Sequence, residues 1–213
     1  MSRTAVIRWY FDFISPFSYL HWQKVKTLRD RAGHAVLPVP VMFAAVLDAH
    51  GQKGPAEIAG KREFTYRHVL WQARQEGVSL KFPPAHPFNP LPALRLCIAA
   101  GCTAETVDAV FDWIWGQGHA ADSIEALAPL IETLVIDAAL LGADATKAAL
   151  RANTEAAIAA GVYGVPTLAI DDVLFWGNDA HDFAVAMLKD PALLDDGEMR
   201  RVSSLPVGIS RRR

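Results

Sequence analysis

Strand-forming segments lie only towards the two ends of this chain of 213 residues, and this arrangement restricts the fold more than any other feature. Residues 5–12 are rich in β-branched and aromatic side chains and predict a strand, and residues 35–41 predict a second one. Between them, Ser15 and Pro16 are typical of a helix start, and Gly33 is placed to end that helix. A strand, a helix and a strand within about 40 residues predict two parallel strands.

The middle of the chain, from Glu57 to about Ala160, has helical periodicity and no strand signal. Caps and glycines divide it into five predicted helices: residues 57–76, residues 91–100, one that starts at Thr103, one that starts at Asp122 or Ser123 and kinks or restarts at Pro129, and residues 144–161. Strand signals then return as a predicted hairpin, followed by a closing amphipathic helix: Thr167–Ile170, Val173–Trp176, the turn at Asp171 and Asp172, and residues 179–189.

Without the helical block, the element order is βαβ followed by αββα, which is the order of a thioredoxin-like fold. We therefore predict an α/β protein with a thioredoxin-like fold and a helical insertion domain between the second strand and the following helix. The predicted boundaries are residues 1–50 and 145–195 for the thioredoxin-like domain and 51–144 for the insertion. Residues 196–213 form a predicted basic C-terminal tail.

Charge and cysteine content exclude several classes of function. The net charge is -2, which favours neither nucleic acid nor a membrane surface as a partner. Five of the 21 basic residues lie in residues 200–213, where they are expected to form a solvated tail. The two cysteines, Cys97 and Cys102, form no CxxC motif, so neither a disulfide framework nor a metal site is expected. A reducing compartment fits this cysteine usage.

The hydropathy pattern predicts a soluble, cytoplasmic protein. Arg3, Arg8 and Asp12 interrupt the apolar start, so we expect no signal peptide. The longest uncharged apolar stretch, residues 35–47, contains two prolines and is shorter than the roughly 20 residues that span a membrane.

Ser15 is the first candidate for chemistry because it follows the first strand at the start of the first helix. In a thioredoxin-like fold, a reactive cysteine occupies this place. The free N–H groups and partial positive charge of a helix N-terminus stabilise an anion such as a thiolate. A serine has no redox chemistry, but its hydroxyl can donate a hydrogen bond to a thiolate beside it. The alternative is that Ser15 is only an N-cap.

Two further segments stand near the C-terminal hairpin. In thioredoxin-like folds, a cis proline before the third strand faces the active helix N-terminus, and Val165-Pro166 fits that position. The backbone of Val165 would then be free to pair with a bound peptide, although an ordinary proline at a strand start is the alternative. Asp179 is either the N-cap of the last helix or a carboxylate that binds a ligand ammonium.

Two stretches of the insertion are candidates for substrate contacts. Basic and aromatic residues alternate between Gln52 and Arg74, including Lys53 and Lys61, and they form either a solvated helix face or a pocket for an aromatic acid. Residues 82–90 contain four prolines, which predict a stiff loop that presents His86 and Asn89.

Several segments together resemble a known family. They are FDFISPFSYL, KREFTYRHVLWQA, FPPAHPFNPLPALRL and GVYGVPTLAIDDVLFWGND. In this order, over most of residues 6–190, they are similar to 2-hydroxychromene-2-carboxylate isomerases, which are related to kappa-class glutathione transferases in the DsbA-like part of the thioredoxin superfamily.

The resemblance implies a glutathione cofactor and a role for individual residues. Ser15 looks like the active-site serine that hydrogen-bonds the glutathione sulfur, and Val165 beside Pro166 looks like the residue that pairs with the glutathione cysteine. The segment Trp176, Gly177, Asn178 and Asp179 looks like the one that holds the γ-glutamyl end. The substrate contacts implied are Gln52, Lys53, Lys61, His86 and Asn89. Gln52 departs from the family's Asn-Lys pair, and Ala180-His181 replaces its usual Arg-Leu.

The implied activity is cis–trans isomerisation of a small aromatic carboxylate by reversible addition of the glutathione thiolate. Two alternatives stay open. One is a glutathione transferase of the kappa-class type, in which glutathione remains on the product. The other is a redox-inactive DsbA-like protein that binds peptides along Val165. A homodimer is left open as the assembly state.

Overall fold

The structure is a computed structural model that describes residues 6–209, without the side chains of residues 31 and 32. The strands within this range are β1 (Ile7–Phe11), β2 (Val36–Pro40), β3 (Thr167–Ile170) and β4 (Val173–Trp176). The helices within it are α1 (Pro16–Ala32), α2 (Phe43–Ala49), α3 (Lys61–Gln75), α4 (Leu91–Ala99), α5 (Ala104–Phe111), α6 (Ile124–Thr133), α7 (Ala139–Gly142), α8 (Asp144–Ala159), α9 (His181–Lys189) and α10 (Gly197–Val202).

The four described strands form one mixed sheet in the order β2-β1-β3-β4. Strand β1 runs parallel to β2 and antiparallel to β3, and β3 runs antiparallel to β4. Ile7 therefore faces Val36 on one side and Ile170 on the other. The sheet joins the two ends of the chain around a long helical segment, which confirms the predicted α/β, thioredoxin-like fold. Strands β3 and β4 have the predicted bounds.

The sheet is covered on both faces. Trp9 and Phe11 stack at 4.4 Å between ring centroids, and Trp9 also stacks on Trp22 of α1 at 5.1 Å. Phe111 of α5 packs against Phe11 at 5.7 Å, so the helical segment shares the main core with the sheet. Tyr10 points to the opposite face, into a smaller cluster with residues of α2 and α8. The two-domain boundaries remain a prediction.

The helical segment departs from the sequence prediction at several ends. Helix α3 begins at Lys61 rather than at residue 57, because Gly60 has a positive φ of 79° and follows a short 3-10 turn. Helix α6 starts after Ser123, as predicted, but continues through Pro129. Pro129 and Glu125 are both exposed, so water can reach the carbonyl that the proline leaves unbonded. Asp144 is the first residue of α8 rather than its N-cap, which is Ala143.

The predicted basic tail is partly helical. Asp196 caps α10 through a 2.7 Å bond from the Met199 N–H, and Arg201 pairs with Glu198 at 2.6 Å. Residues 211–213, which carry the remaining arginines of the tail, lie outside the described residues. No helix within residues 6–209 is long and apolar enough to cross a membrane.

Candidate active site

Most of the predicted site residues lie around one cavity of about 640 Å³ between the β1–α1 loop, α3 and the ends of β3 and β4. The predicted residues that line it are Ser15, Gln52, Lys53, His86, Val165, Pro166, Trp176, Gly177, Asn178 and Asp179. Lys61 and Asn89 do not line it. Lys61 is exposed at the start of α3, and the Asn89 side chain accepts the Leu91 N–H at 3.2 Å, where α4 begins.

Ser15 is the N-cap of α1. Its backbone is extended, at φ -91° and ψ 114°, and its Oγ accepts the Ser18 N–H at 3.2 Å. The residue is only 7% exposed, and no described residue accepts its hydroxyl proton. The capping interpretation is therefore confirmed, but it uses only an oxygen lone pair. The proton remains available to a ligand in the cavity.

Asp12, which sequence reasoning missed, supports the loop before Ser15 and also lines the cavity. Its carboxylate is fully buried and accepts the N–H groups of Ile14 at 3.0 Å and Phe43 at 2.9 Å. Burial raises the pKa of Asp12 to about 7, although these backbone hydrogen bonds oppose the rise. An acidic residue directly after a strand of apolar and aromatic residues was the available signal.

His86 also acts on this loop. Its Nε2 donates to the Ile14 carbonyl at 2.8 Å, and its Nδ1 lies 2.6 Å from the Tyr66 hydroxyl. Burial lowers the pKa of His86, and the nearby Arg62 cation lowers it further, whereas the hydrogen bond to Ile14 raises it. Both ring nitrogens are therefore engaged with protein groups.

The Val165–Pro166 bond is cis, as predicted, and both residues line the cavity together with Ser15. The backbone N–H and C=O of Val165 make no hydrogen bond with any residue in 6–209, which also agrees with the prediction. The Pro166 carbonyl accepts the Gly177 N–H at 2.9 Å, which joins this segment to the end of β4.

The segment from Trp176 to Asp179 forms the next part of the wall. Gly177 has a φ of 101°, and a Cβ there would collide with the Asp179 carboxylate, so glycine is required. Trp176 is 53% exposed and packs edge-to-face on Tyr163 at 5.4 Å. A Cβ on Gly164 would collide with the Trp176 indole, so that glycine permits the close approach.

Asn178 and Asp179 have different surroundings. Asn178 is 3% exposed, its side-chain Nδ2 donates to Glu76 at 2.9 Å, and its backbone carbonyl accepts from Lys24 at 3.3 Å. Lys24 and Glu76 form an ion pair at 2.9 Å, so Asn178 anchors the segment to α1 and α3. Asp179 is exposed at the cavity wall. Its predicted capping role is wrong, because α9 begins at His181 with Ala180 as its N-cap.

The chain matches the DSBA-like thioredoxin domain over residues 6–189. It is 33% identical to a 2-hydroxychromene-2-carboxylate isomerase of Pseudomonas putida over 182 residues, which cover 82% of this chain and 89% of that protein. It is 32% identical to one of Sphingobium xenophagum over 195 residues, which cover 88% of this chain and all of that protein. The chain belongs to the 2-hydroxychromene-2-carboxylate isomerase family.

A solved structure of a 2-hydroxychromene-2-carboxylate isomerase superposes on this family member with a TM-score of 0.75 at 27% identity, covering 91% of this chain and 98% of the other. A probable DsbA oxidoreductase of Streptomyces coelicolor, at 17% identity and a TM-score of 0.62, shares the fold.

In this member of the 2-hydroxychromene-2-carboxylate isomerase family, Tyr66 of the predicted basic and aromatic stretch lines the cavity, whereas sequence reasoning missed Phe43, Phe88 and Tyr163. These three residues come from three separate segments, and no local pattern joins them. The free cysteines, Cys97 and Cys102, are not among the residues that line the cavity. Among residues 6–209, no group of three or more His, Cys, Asp or Glu side chains is placed to hold a metal ion.

Proposed function

We propose that this chain is a glutathione-dependent cis–trans isomerase of aromatic carboxylates that resemble 2-hydroxychromene-2-carboxylate. The observation that carries the proposal is a serine with an unused hydroxyl proton at a helix N-terminus, opposite the unpaired backbone of Val165, in one cavity. Isomerisation of a conjugated double bond by reversible addition needs a nucleophile, such as a thiolate, that adds and then leaves. No cysteine among the described residues lines the cavity, so the thiol has to come with a ligand.

The residues fit glutathione. A cavity of about 640 Å³ lies within the roughly 300–1,000 Å³ of small-molecule sites. The free N–H and C=O of Val165 match the main chain of a peptide in an extended conformation, and the exposed Asp179 carboxylate matches an ammonium. Bound glutathione would supply a thiolate nucleophile for reversible addition to the conjugated double bond and would not be consumed.

The chain stabilises the anion and orients the substrate. The Ser15 hydroxyl donates to the sulfur, and the first-turn N–H groups of α1 add the partial positive charge of the helix end, which favours an anion by about 0.3–1 kcal/mol. A free thiol has a pKa of about 8.5, so these interactions raise the thiolate fraction at neutral pH.

Aromatic and cationic groups of the cavity support an aromatic carboxylate as substrate. Phe43, Tyr66 and Tyr163 supply flat apolar walls, and Lys53 is an exposed cation at the rim that can pair with a carboxylate. Gln52 lies beside it on the same rim.

An assay of the purified chain with 2-hydroxychromene-2-carboxylate tests the proposal. We expect conversion to the open-chain trans isomer only when glutathione is added, with the glutathione recovered unchanged. S-methylglutathione is the matched control, because it keeps the peptide contacts but has no thiol, and it should inhibit. Full activity without a thiol contradicts the proposal. A glutathione adduct as final product would instead establish a transferase, and peptide binding without any turnover would establish a binding protein.

A further inference from the structure

The peptide units before Ser15 form hydrogen bonds both with Asp12 and with side chains of the helical segment. The Asp12 carbonyl accepts the Ser15 N–H at 3.1 Å, and the Asp12 carboxylate accepts the Ile14 N–H at 3.0 Å. The Phe13 carbonyl accepts from the Trp115 indole at 2.8 Å, and the Ile14 carbonyl accepts from His86 at 2.8 Å. Five of the six polar backbone groups in these peptide units are therefore engaged by protein partners, which restricts the loop to one conformation.

The two donors to these carbonyls come from the helical segment. Trp115 follows α5 and is fully buried, and His86 belongs to the proline-rich loop before α4. A carbonyl oxygen carries partial negative charge, so an unengaged carbonyl beside Ser15 would oppose an anion there. The N–H groups of Trp115 and His86 hold the Phe13 and Ile14 carbonyl oxygens in place, and their partial positive charge offsets the negative charge of those oxygens.

The tautomer of His86 is set by its partners. The Ile14 carbonyl has only lone pairs, so Nε2 must carry a hydrogen. In the neutral ring, Nδ1 is then an acceptor for the Tyr66 hydroxyl at 2.6 Å, whose single proton has a second acceptor in the His86 carbonyl at 2.8 Å. The Tyr66 oxygen accepts from Arg62 Nε at 3.2 Å. A series of hydrogen bonds therefore connects Arg62 and Tyr66 of α3, through His86, to Ile14, the residue that precedes Ser15.

We propose that His86 is a positioning residue for the anion site at Ser15: its Nε2–H, oriented by Tyr66, fixes the Ile14 carbonyl and so stabilises negative charge at the start of α1. In this role His86 acts through the Ile14–Ser15 peptide, since both of its ring nitrogens are engaged with protein groups. The inference goes beyond the proposed function, because it holds for any anion at this helix end, whichever thiol supplies it.

The test uses a thiol built into the chain, so that it does not depend on glutathione. Ser15→Cys places a sulfur at the N-cap, and the pKa of that introduced thiol follows from its thiolate absorbance against pH. The wild-type protein, titrated in parallel, gives the contribution of Cys97 and Cys102. His86→Leu and His86→Gln are then introduced into Ser15→Cys. Glutamine keeps an N–H donor at the distance of Nε2, whereas leucine has none. Asp12 is unchanged in all of these proteins, so it is not the source of a difference in the thiol pKa between them.

We expect His86→Leu to raise the pKa of the introduced thiol by about one unit and His86→Gln to leave it near the value in Ser15→Cys alone. Equal pKa values in all three proteins overturn the proposal. An equal rise in both double variants also overturns it, because the rise would then come from lost packing rather than from the lost donor.

If His86→Leu does not fold, Tyr66→Phe in the Ser15→Cys background decides the question. This substitution removes one hydroxyl and frees His86 Nδ1 to take the hydrogen, so we expect a smaller rise in the pKa of the introduced thiol. An unchanged pKa after Tyr66→Phe would then overturn the proposal.

Discussion

Ser15 has two roles that use different parts of one hydroxyl, and substitution separates them. Its oxygen caps α1 by accepting the Ser18 N–H at 3.2 Å, and its proton is free for a ligand sulfur. Ser15→Ala removes both. The lost cap should cost about 0.5–2 kcal/mol of the free energy of unfolding. For a chain of this length, 1 kcal/mol lowers Tm by about 2–4 °C. The lost donor should reduce glutathione-dependent turnover at least about tenfold, or about 1.4 kcal/mol of transition-state stabilisation.

Ser15→Asp is the matched control for the capping role. Aspartate caps a helix about as well as serine, so Tm should stay near the wild-type value or rise. The carboxylate would repel a thiolate in the same place, so turnover should fall below that of Ser15→Ala. Thermal unfolding and steady-state rates on the same preparations give both quantities. If Ser15→Asp is as active as the wild-type protein, or if Ser15→Ala loses stability but keeps its turnover, then Ser15 is only a cap and the anion site is misplaced.

Three other substitutions test separate parts of the site. Asp179→Asn should raise the Kd of glutathione at least about tenfold in calorimetry at pH 7, since a charge-assisted contact is worth about 1.5–3 kcal/mol. The Tm should stay unchanged because Asp179 caps no helix. Equal affinities of the two proteins for glutathione would show that Asp179 does not bind the ammonium group. Burial raises the pKa of Asp12 from an ordinary 3.8 to about 7, so the folded state holds the Asp12 proton more tightly than the unfolded state does. The protonated Asp12 therefore contributes stability below about pH 4, and this contribution is lost as the pH rises through 7. Denaturant unfolding at several pH values should therefore show the stability of the wild-type protein falling relative to Asp12→Asn between about pH 4 and 8, by up to about 4 kcal/mol, and parallel curves would refute the raised pKa. Gly177→Ala should weaken glutathione binding because its φ is 101° and its Cβ would meet the Asp179 carboxylate; unchanged binding would show that this turn does not shape the site.

Features set by neighbouring residues could be predicted from the sequence. Ser15 and Pro16 define a helix start without help from distant parts of the chain, and the start of α1 is where the sequence places it. The hairpin of β3 and β4 is equally local, because a polar turn lies between two short apolar runs. The fold class followed from the order of such elements alone.

Features set by distant contacts could not be predicted. The segment after β4 is held by Lys24 and Glu76, which form an ion pair and both hydrogen-bond Asn178. The sequence predicts His86 as a substrate contact in a stiff loop, but its hydrogen-bond partners in the structure, Tyr66 and Ile14, lie 20 and 72 positions away along the chain. The sequence contains all of these residues, but no periodicity or spacing connects them.

A crystal structure of the protein with glutathione tests the central claim most directly, since the claim is that the reacting thiol comes from a ligand held beside Ser15. We predict the glutathione sulfur within hydrogen-bond distance of the Ser15 Oγ, the cysteinyl backbone paired with the N–H and C=O of Val165, and the amino end at Asp179. Glutathione bound with its sulfur away from the start of α1, or no bound glutathione at saturating concentration, would contradict the account.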